Sequence, residues 1–413
     1  MMEIKKLTKN QIGRMLGLAS KAYPMVDLRT PEQFKAFEAR ILPDFKGTTF
    51  REWYGLFEGF QLLGSMAIYD FTVNYYGKKL KGSGIGFVAV DLLHKKQKIC
   101  KEMLQWYLMH SIEKKYPLAM LYSFRPDFYK KMGFGYGTSC FSYVTDPTRF
   151  SKSDQQYQME YLTMGDKDEV IGFYKVLYQN NHGMIPKRID EIESMFDAPG
   201  LTVVGYREKG RLHALLYFGM KADNSTNETT HMRIEILFTN STGLKAALSF
   251  LNSQSDQVSK IEFTTPFKHF YYNLKDIRAL DGKLLCEPAF HHTFDHGMGI
   301  MYRSLNPIKL LLMKPCTLDK LRIRFLITDT FVDATESDFI ITWKDGKAIR
   351  SKGKSYDLEM KMDVSDFSSW VMNAIDLATL HQYGLVELSD DSYLQTLNQA
   401  FYYHQEPICL QRF

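Results

Sequence analysis

The order of elements in this sequence predicts an α+β fold (mixed α/β): two similar units in tandem, then a third domain with helices on one face of a sheet. Three observations predict it. Up to about residue 146, strand-like alternation is interleaved with stretches of helical period. Between 155 and 300 the same order of elements returns without obvious identity, at a spacing too long for a solenoid, which points to duplication. From about Met301 the pattern changes to alternating strands followed by helices. The expected domains are 1–150, 151–300 and 301–413.

In the first unit "MEIKKL" is a short strand. Thr8 can cap a helix running to about Ala22, with Ile12, Met15, Leu16 and Ala19 on one face. A second helix follows Pro31. "EWYGLFE", "LLGSMAIYDFTVNYY" and "GIGFVAV" read as strands separated by Gly-containing turns. After Val90 the period changes, and Ile99, Met103, Leu104, Tyr107 and Ile112 fit a helix over about 98–114. "PLAMLYSF" returns to strand, "RPDFYKKMGFGYG" holds a short helix and its stop, and "GTSCFSYVT" is another strand.

The second unit repeats the plan. "QYQMEYL" is a strand, "KDEVIGFYKVLYQ" a helix, "LTVVGYREKGRLHALLYFGM" a hairpin and "HMRIEILFT" a strand. "GLKAALSFLNSQ" is a helix and "KIEFTTPF" a strand. In the third, "LRIRFLITD", "DFIITWKDG" and "YDLEMKMD" are strands with one buried face, and "KDGK" suits a hairpin turn. "SDFSSWVMNAI" starts with a cap at Ser365 and turns Phe367, Trp370, Val371 and Ile375 inward.

Composition excludes several classes. With 45% hydrophobic and 24% charged residues the chain reads as an ordinary globular protein. No run of 18 apolar residues suggests a membrane span, and "MMEIKKLTKNQ" has no apolar signal region, so a cytoplasmic location is expected. A net charge of +5 is slight for 413 residues, and a nucleic-acid partner is not expected. Five scattered cysteines with no CxxC pair suggest reduced thiols rather than disulfides or zinc. "AFHHTFDHG" places His291, His292 and His296 beside Asp295, but it matches no familiar zinc spacing and reads as a polar loop. No metal is expected.

One constellation carries chemistry. The strand "GIGFVAV" leads through "HKKQKICK" into a helix, and a helix N-terminus with free N–H groups is an anion site. Lys95, Lys96, Lys98 and Lys101 supplement it, and the turn after the next strand brings Tyr129 near the same sheet edge. Such a layout suits a phosphorylated cofactor; a solvated helix start is the simpler alternative. "EILFTNSTGLKAALSFL" in the second unit has no basic turn, so cofactor binding is not expected there.

"FVAVDLLHKKQKICKEML" and "FYKKMGFGYG" resemble the acetyl-CoA-binding half of the GNAT N-acetyltransferases. The whole layout, including "NNHGMIPKRIDEIESMF", "GIMYRSLNP" and the final Phe, resembles the Eis (enhanced intracellular survival) acetyltransferases: two tandem GNAT-like units followed by a sterol-carrier-like α+β domain. The resemblance implies acetyl-CoA as cosubstrate, a primary amine of a small molecule or lysine side chain as acceptor, and a homo-oligomer, a hexamer in that family.

It also implies residue roles. The strand backbone at Phe87, Val88 and Val90 faces the pantetheine arm and the thioester carbonyl. The family's phosphate turn falls on 95–100, where Lys95 keeps the basic first position, Lys98 replaces the glycine and Cys100 the small residue; Lys96 and Ile99 complete it, and Ser123, next to the end of the following strand at Phe124, is a further cofactor-binding residue. Tyr129 falls on the general-acid tyrosine. A phenol, with a pKa of about 10, is protonated at neutral pH and can donate to a departing thiolate; a ring that merely packs is the alternative. Phe413 falls on the terminal residue whose carboxylate serves as general base, and Arg412 beside it would disfavour polycationic acceptors such as aminoglycosides. Asp27, Phe34 and Phe37, with Tyr23, fall where GNAT enzymes shape the acceptor pocket. The competing reading is a weak or inactive GNAT scaffold that binds an acyl-CoA or a lipid through its C-terminal domain.

Overall fold

The computed structural model describes residues 2–23, 28, 30–46, 50–153, 157–222, 230–286 and 288–413. The chain divides into two units, one formed by Met1–Gly137, Ile300–Glu406 and Arg412–Phe413, the other by Thr138–Gly299 and Pro407–Gln411. Its class is the expected mixed α+β.

The first unit contains a seven-stranded sheet in the order Met2–Lys6, Arg51–Glu58, Gln61–Tyr75, Lys78–Val90, Leu118–Tyr122, Ile300–Ser304, Gly135–Tyr136. Thr8 and Gln11 form a capping box on a short 3-10 turn that runs into the helix Ile12–Ala22. Thr30 caps Pro31–Ile41 in the same way. The helix Ile99–Glu113 packs Ile99, Met103, Leu104, Tyr107 and Leu108 into the core beneath the sheet. Two strands depart from the expected layout. Ile300–Ser304, read as the start of the third domain, pairs with Leu118–Tyr122 in this sheet. Ser139–Thr145, read with the first unit, pairs in the sheet of the second.

Two irregularities open the sheet at one place. Lys78–Val90 pairs antiparallel with Gln61–Tyr75, but its register shifts so that Phe87 and Val88 face Met66 alone, a β-bulge between Ala67–Gly86 and Ser65–Ala89. Phe87 takes a φ of 49° there. On its other side the strand pairs in parallel with Leu118–Tyr122 only from Gly82–Leu118 to Gly84–Met120. Beyond Gly84 the strand runs on to Val90 without that neighbour.

The C-terminal sheet in the same unit runs Lys347–Arg350, Asp338–Lys344, Leu321–Thr328, Leu358–Asp363, Val386–Leu388. Leu321, Ile323, Phe325 and Ile327 alternate inward, as the pattern required. The helix that follows the strand Leu358–Asp363 begins two residues earlier than expected. Its cap is Asp363, whose carboxylate accepts from the Ser365 N–H at 2.7 Å, and it spans Val364–Val371, so Ser365 lies inside it and half-buried Ile375 beyond its end. Phe367, Trp370 and Val371 are buried as expected.

The second unit has a seven-stranded sheet in the order Asp295–Met298, Ser139–Thr145, Val258–Thr265, Thr230–Phe238, Arg211–Ala222, Leu201–Glu208, Met159–Tyr161. The helices Lys167–Asn180 and Ser241–Asn252 match the sequence pattern, and Ile189–Asp197 adds a third. Its parallel pair stays together from Thr230–Val258 to Glu235–Thr264, with no early divergence.

Candidate active site

The bulge at 86–88 is the centre of the site. A non-glycine residue at positive φ costs of order 1–3 kcal/mol and persists where the surroundings hold it. Here they do: the Phe87 ring packs against Trp53 at 5.4 Å, Phe37 at 5.7 Å and Tyr23 at 6.4 Å. The Tyr23 hydroxyl donates to the Val88 carbonyl oxygen at 2.8 Å, which fixes the direction of that peptide. Val88 and Val90 turn their side chains toward the core that holds the long helix. Tyr23, named from sequence only as an aromatic of the acceptor side, is thus also a clamp on the bulge.

The basic turn follows directly. Lys95, Lys96 and Lys98 are exposed, and Lys98 is the N-cap of Ile99–Glu113. No side chain caps that helix, so its first-turn N–H groups have no side-chain acceptor at the cap. Lys96 and Lys98 have φ of 67° and 64°, the left-handed region that favours glycine. The glycine of the family turn therefore has a conformational reason, and Lys98 occupies the position under strain. Ile99 is 2% exposed, so it presents only its backbone to a ligand. Cys100 turns its thiol inward, where burial pushes its pKa up to about 11.

Tyr129 sits in the short helix Pro126–Lys130 and is buried among Phe124, Phe128 and Phe134. Burial lifts its pKa well above that of a free phenol, and Cys100 and Tyr23 are near enough to add to the shift. The structure thus brings Tyr129, Cys100 and Tyr23 together beside the bulged strand. Gly133, at φ 80°, ends the turn. The Ser123 hydroxyl accepts from the Arg125 N–H at 3.1 Å, so it shapes this turn.

Phe413 reaches the same strand. Its ring lies 4.7 Å from Phe71, 5.3 Å from Tyr69 and 5.3 Å from Tyr122. A Cβ at Gly86 would stand 3.5 Å from the Phe413 carbonyl carbon, and one at Gly84 would stand 3.0 Å from its ring. These two glycines leave the room that Phe413 occupies.

On the acceptor side, Phe34 and Phe37 are half-buried on the helix Pro31–Ile41. Asp27 lies outside the described residues. Arg40 and Arg51, which sequence reasoning passed over, stand beside these aromatics. The signal available was Arg40 three residues after Phe37, on one helix face.

The matching place in the second unit is closed. The Asn240 side chain accepts from the Gly243 N–H at 2.8 Å and so caps the helix Ser241–Asn252. A Cβ at Gly243 would fall 2.1 Å from the His213 carbonyl oxygen, so this glycine serves close packing. In the histidine loop, His292 lies 2.7 Å from Asp281 and 3.3 Å from Asp295. Among the described residues no group of three or more His, Cys, Asp or Glu side chains could hold a metal ion, and no helix is long and apolar enough to cross a membrane.

With this geometry in hand, comparison with known proteins defines the class. Residues 3–137 match the acetyltransferase (GNAT) domain family, and residues 311–410 match the sterol carrier protein domain family. The chain carries a GNAT domain and is an acetyltransferase enzyme in class. Three solved structures resemble it along the full length of both chains. A conserved protein of unknown function from Enterococcus faecalis V583, described as a probable N-acyltransferase, is 19% identical with a TM-score of 0.81. A GCN5-related N-acetyltransferase from Anabaena variabilis ATCC 29413 is 14% identical with a TM-score of 0.81. Eis1 from Mycobacterium abscessus is 15% identical with a TM-score of 0.77. These share the fold. No curated protein matches the sequence.

Proposed function

We propose that this chain moves an acetyl group from acetyl-CoA to a primary amine by direct attack. The observation that carries the reading is the convergence of Tyr129, Tyr23 and Phe413 on the bulged strand at 86–88. The residues present fit acetyl-CoA. The strand beyond Gly84 has lost its parallel neighbour, and the uncapped helix N-terminus and Lys95, Lys96 and Lys98 suit a pyrophosphate. Acetyl-CoA, when bound, supplies a thioester whose carbonyl carbon is open to an amine.

The amine nitrogen forms its bond to the acetyl carbon, the carbon–sulfur bond breaks, and the ammonium proton must leave. The Phe413 carboxylate receives it, through water, and meanwhile holds the cationic amine electrostatically. Tyr129 faces the leaving sulfur. The pKa of an ordinary phenol, about 10, already lies above that of a thiol, about 8.5, and burial raises that of Tyr129 further, so complete proton transfer from the phenol to the thiolate is uphill. The hydroxyl therefore acts by donating a hydrogen bond to the forming thiolate, which takes its proton afterwards from solvent.

The lipid-binding alternative loses support from the C-terminal domain. Its interior is filled by Trp343, Trp370, Phe325, Phe367 and Phe401, with Trp370 5.0 Å from Phe401 and Trp343 5.4 Å from Phe401. Two measurements test the proposal. Calorimetry should detect acetyl-CoA binding, and its absence at millimolar cofactor overturns the reading. Tyr129→Phe should keep that affinity and lose about 10²–10³ in kcat, the size of one lost hydrogen bond to developing negative charge; an undiminished kcat removes Tyr129 from the reaction.

A further inference from the structure

Arg40 and Arg51 place two guanidinium groups near the bulge, and among the described residues a carboxylate, that of Asp44, pairs with Arg51 alone. Arg51 is committed. Its Nε donates to Asp44 Oδ2 at 2.6 Å, and Trp53 Nε1 donates to the same oxygen at 2.7 Å. The Arg51 side chain is only 12% exposed, and its guanidinium carbon lies 5.1 Å from the Trp53 ring and 5.8 Å from the rings of Phe50 and Tyr69.

Arg40 is different. Its guanidinium carbon stands 4.3 Å over the Phe37 ring, and no carboxylate among the described residues pairs with it. The residue is exposed, and the partial desolvation of its guanidinium and the neighbouring Arg51 cation pull its pKa down from the usual value. It remains a cation at any physiological pH.

Both arginines border the reacting region through single rings. Phe37 touches Phe87 at 5.7 Å. Tyr69 lies under Arg51, packs on Phe413 at 5.3 Å, and stands 3.2 Å from where a Cβ of Gly86 would be. Tyr69 thus lies between Phe413 and Arg40, packed on the first and near enough to the second for the cation to act on its hydroxyl. The Phe413 carboxylate answers an ammonium; Arg40 is left for the opposite charge.

We propose that the acceptor is an amine that also carries an anionic oxygen group, a carboxylate or a phosphate, and that Arg40 selects it. The inference rests on the acetyl-transfer reading and narrows its substrate. A guanidinium fork matches either oxyanion with two parallel hydrogen bonds. The same charge repels a second ammonium group, so polycationic amines are disfavoured by the site as well as by the missing attraction.

The test measures thiol release from acetyl-CoA with matched acceptors that differ in the anionic group: lysine against cadaverine, phenylalanine against phenethylamine, and phosphoethanolamine against ethanolamine. The expected result is a kcat/KM on the order of tenfold or more higher for the anionic member, the strength of a charged hydrogen bond. The responding pairs distinguish carboxylate from phosphate. Arg40→Gln should bring the ratio close to one and Arg40→Lys should restore part of it. A purely structural arginine would lower both members alike and leave the ratio unchanged, and that result overturns the proposal. So does equal or better use of cadaverine and ethanolamine, in which case acetyl transfer stands and the selectivity falls. Silence of every pair overturns both.

Discussion

A Cβ at Gly133 would fall 1.4 Å from Nη1 of Arg303, so the turn that ends the Tyr129 helix rests directly on a buried guanidinium. Arg303 is fully buried on Ile300–Ser304, and its Nη2 donates to Asp329 Oδ2 at 2.6 Å. Its Nε and Nη1 are buried without a hydrogen-bond partner among the described residues. The other Asp329 oxygen accepts from the N–H groups of Phe331 and Val332, at 3.0 and 3.1 Å, and both of these side chains pack on the core that contains Tyr129.

Removing one member of such a pair strands the other. Asp329→Ala should cost about 3–5 kcal/mol, while replacing both residues by apolar ones should cost much less. Denaturant unfolding of Asp329→Ala and of the double variant Arg303→Leu with Asp329→Leu measures this. A single variant as stable as the parent would show that the guanidinium is solvated.

Phe413 supports a second expectation. Its ring is held by Tyr69, Phe71 and Tyr122, and its carbonyl carbon lies near Gly86. A chain extended by a few residues after Phe413 replaces the carboxylate with a neutral amide at that spot. Its kcat should fall on the order of 10²-fold or more, the usual size of an acid–base contribution, while acetyl-CoA affinity is held. Intact mass confirms each terminus, and steady-state kinetics decides. Equal turnover of the two forms excludes a terminal base.

Lys98 gives a third. At a φ of 64° any side chain with a Cβ is strained, by roughly 1–2 kcal/mol. Lys98→Gly should relieve that strain, offset in part by the entropy of glycine in the unfolded chain. Lys98→Ala keeps the strain and loses only the charge. The acetyl-CoA KM should therefore rise most for Lys98→Ala, and Lys98→Gly should be the more stable of the two by about 1 kcal/mol. Reversal of that stability order would show that the turn relaxes.

What the sequence revealed followed from local rules. Periodicity located the helices Ile12–Ala22, Ile99–Glu113 and Ser241–Asn252, because each buries a face with the right spacing. The roles proposed for Tyr129 and Phe413 came only through a resemblance, since a tyrosine in a Gly-rich turn and a final phenylalanine carry no chemistry alone. Strand partners stayed hidden. Ser139–Thr145 has the alternation to sit in either sheet, and nothing local says which neighbour it finds. The bulge at Phe87 and Val88 was equally silent, because it depends on the register against Met66. Arg40 and Arg51 lie on different elements, the helix Pro31–Ile41 and the strand Arg51–Glu58, and come near each other only in the folded chain.

Lys314 gives the last expectation, and its sign can be worked out. It is buried, its Nζ donates to the Tyr76 hydroxyl at 2.6 Å and to the Trp370 carbonyl at 3.3 Å, and burial brings its pKa down from 10.5 to about 7. The titratable groups near it are Tyr76 and Cys316. Tyr76 has its pKa raised well above 10.0 by burial, and the Cys316 thiol is raised to about 11, so both are neutral through the relevant window. Between pH 7 and 10.5 the unfolded chain holds a proton on Lys314 that the folded chain has released. Stability then rises with pH across that window and falls as pH drops toward 7, with no further loss below it. Lys314→Met lacks this dependence. The unfolding free energy of the parent, minus that of Lys314→Met, should therefore increase steadily from pH 7 to 9.5, with a slope approaching one proton. Urea unfolding followed by tryptophan fluorescence at several pH values measures the difference, and other titrating groups cancel in it. A difference that is flat with pH would mean that Lys314 keeps its charge when folded.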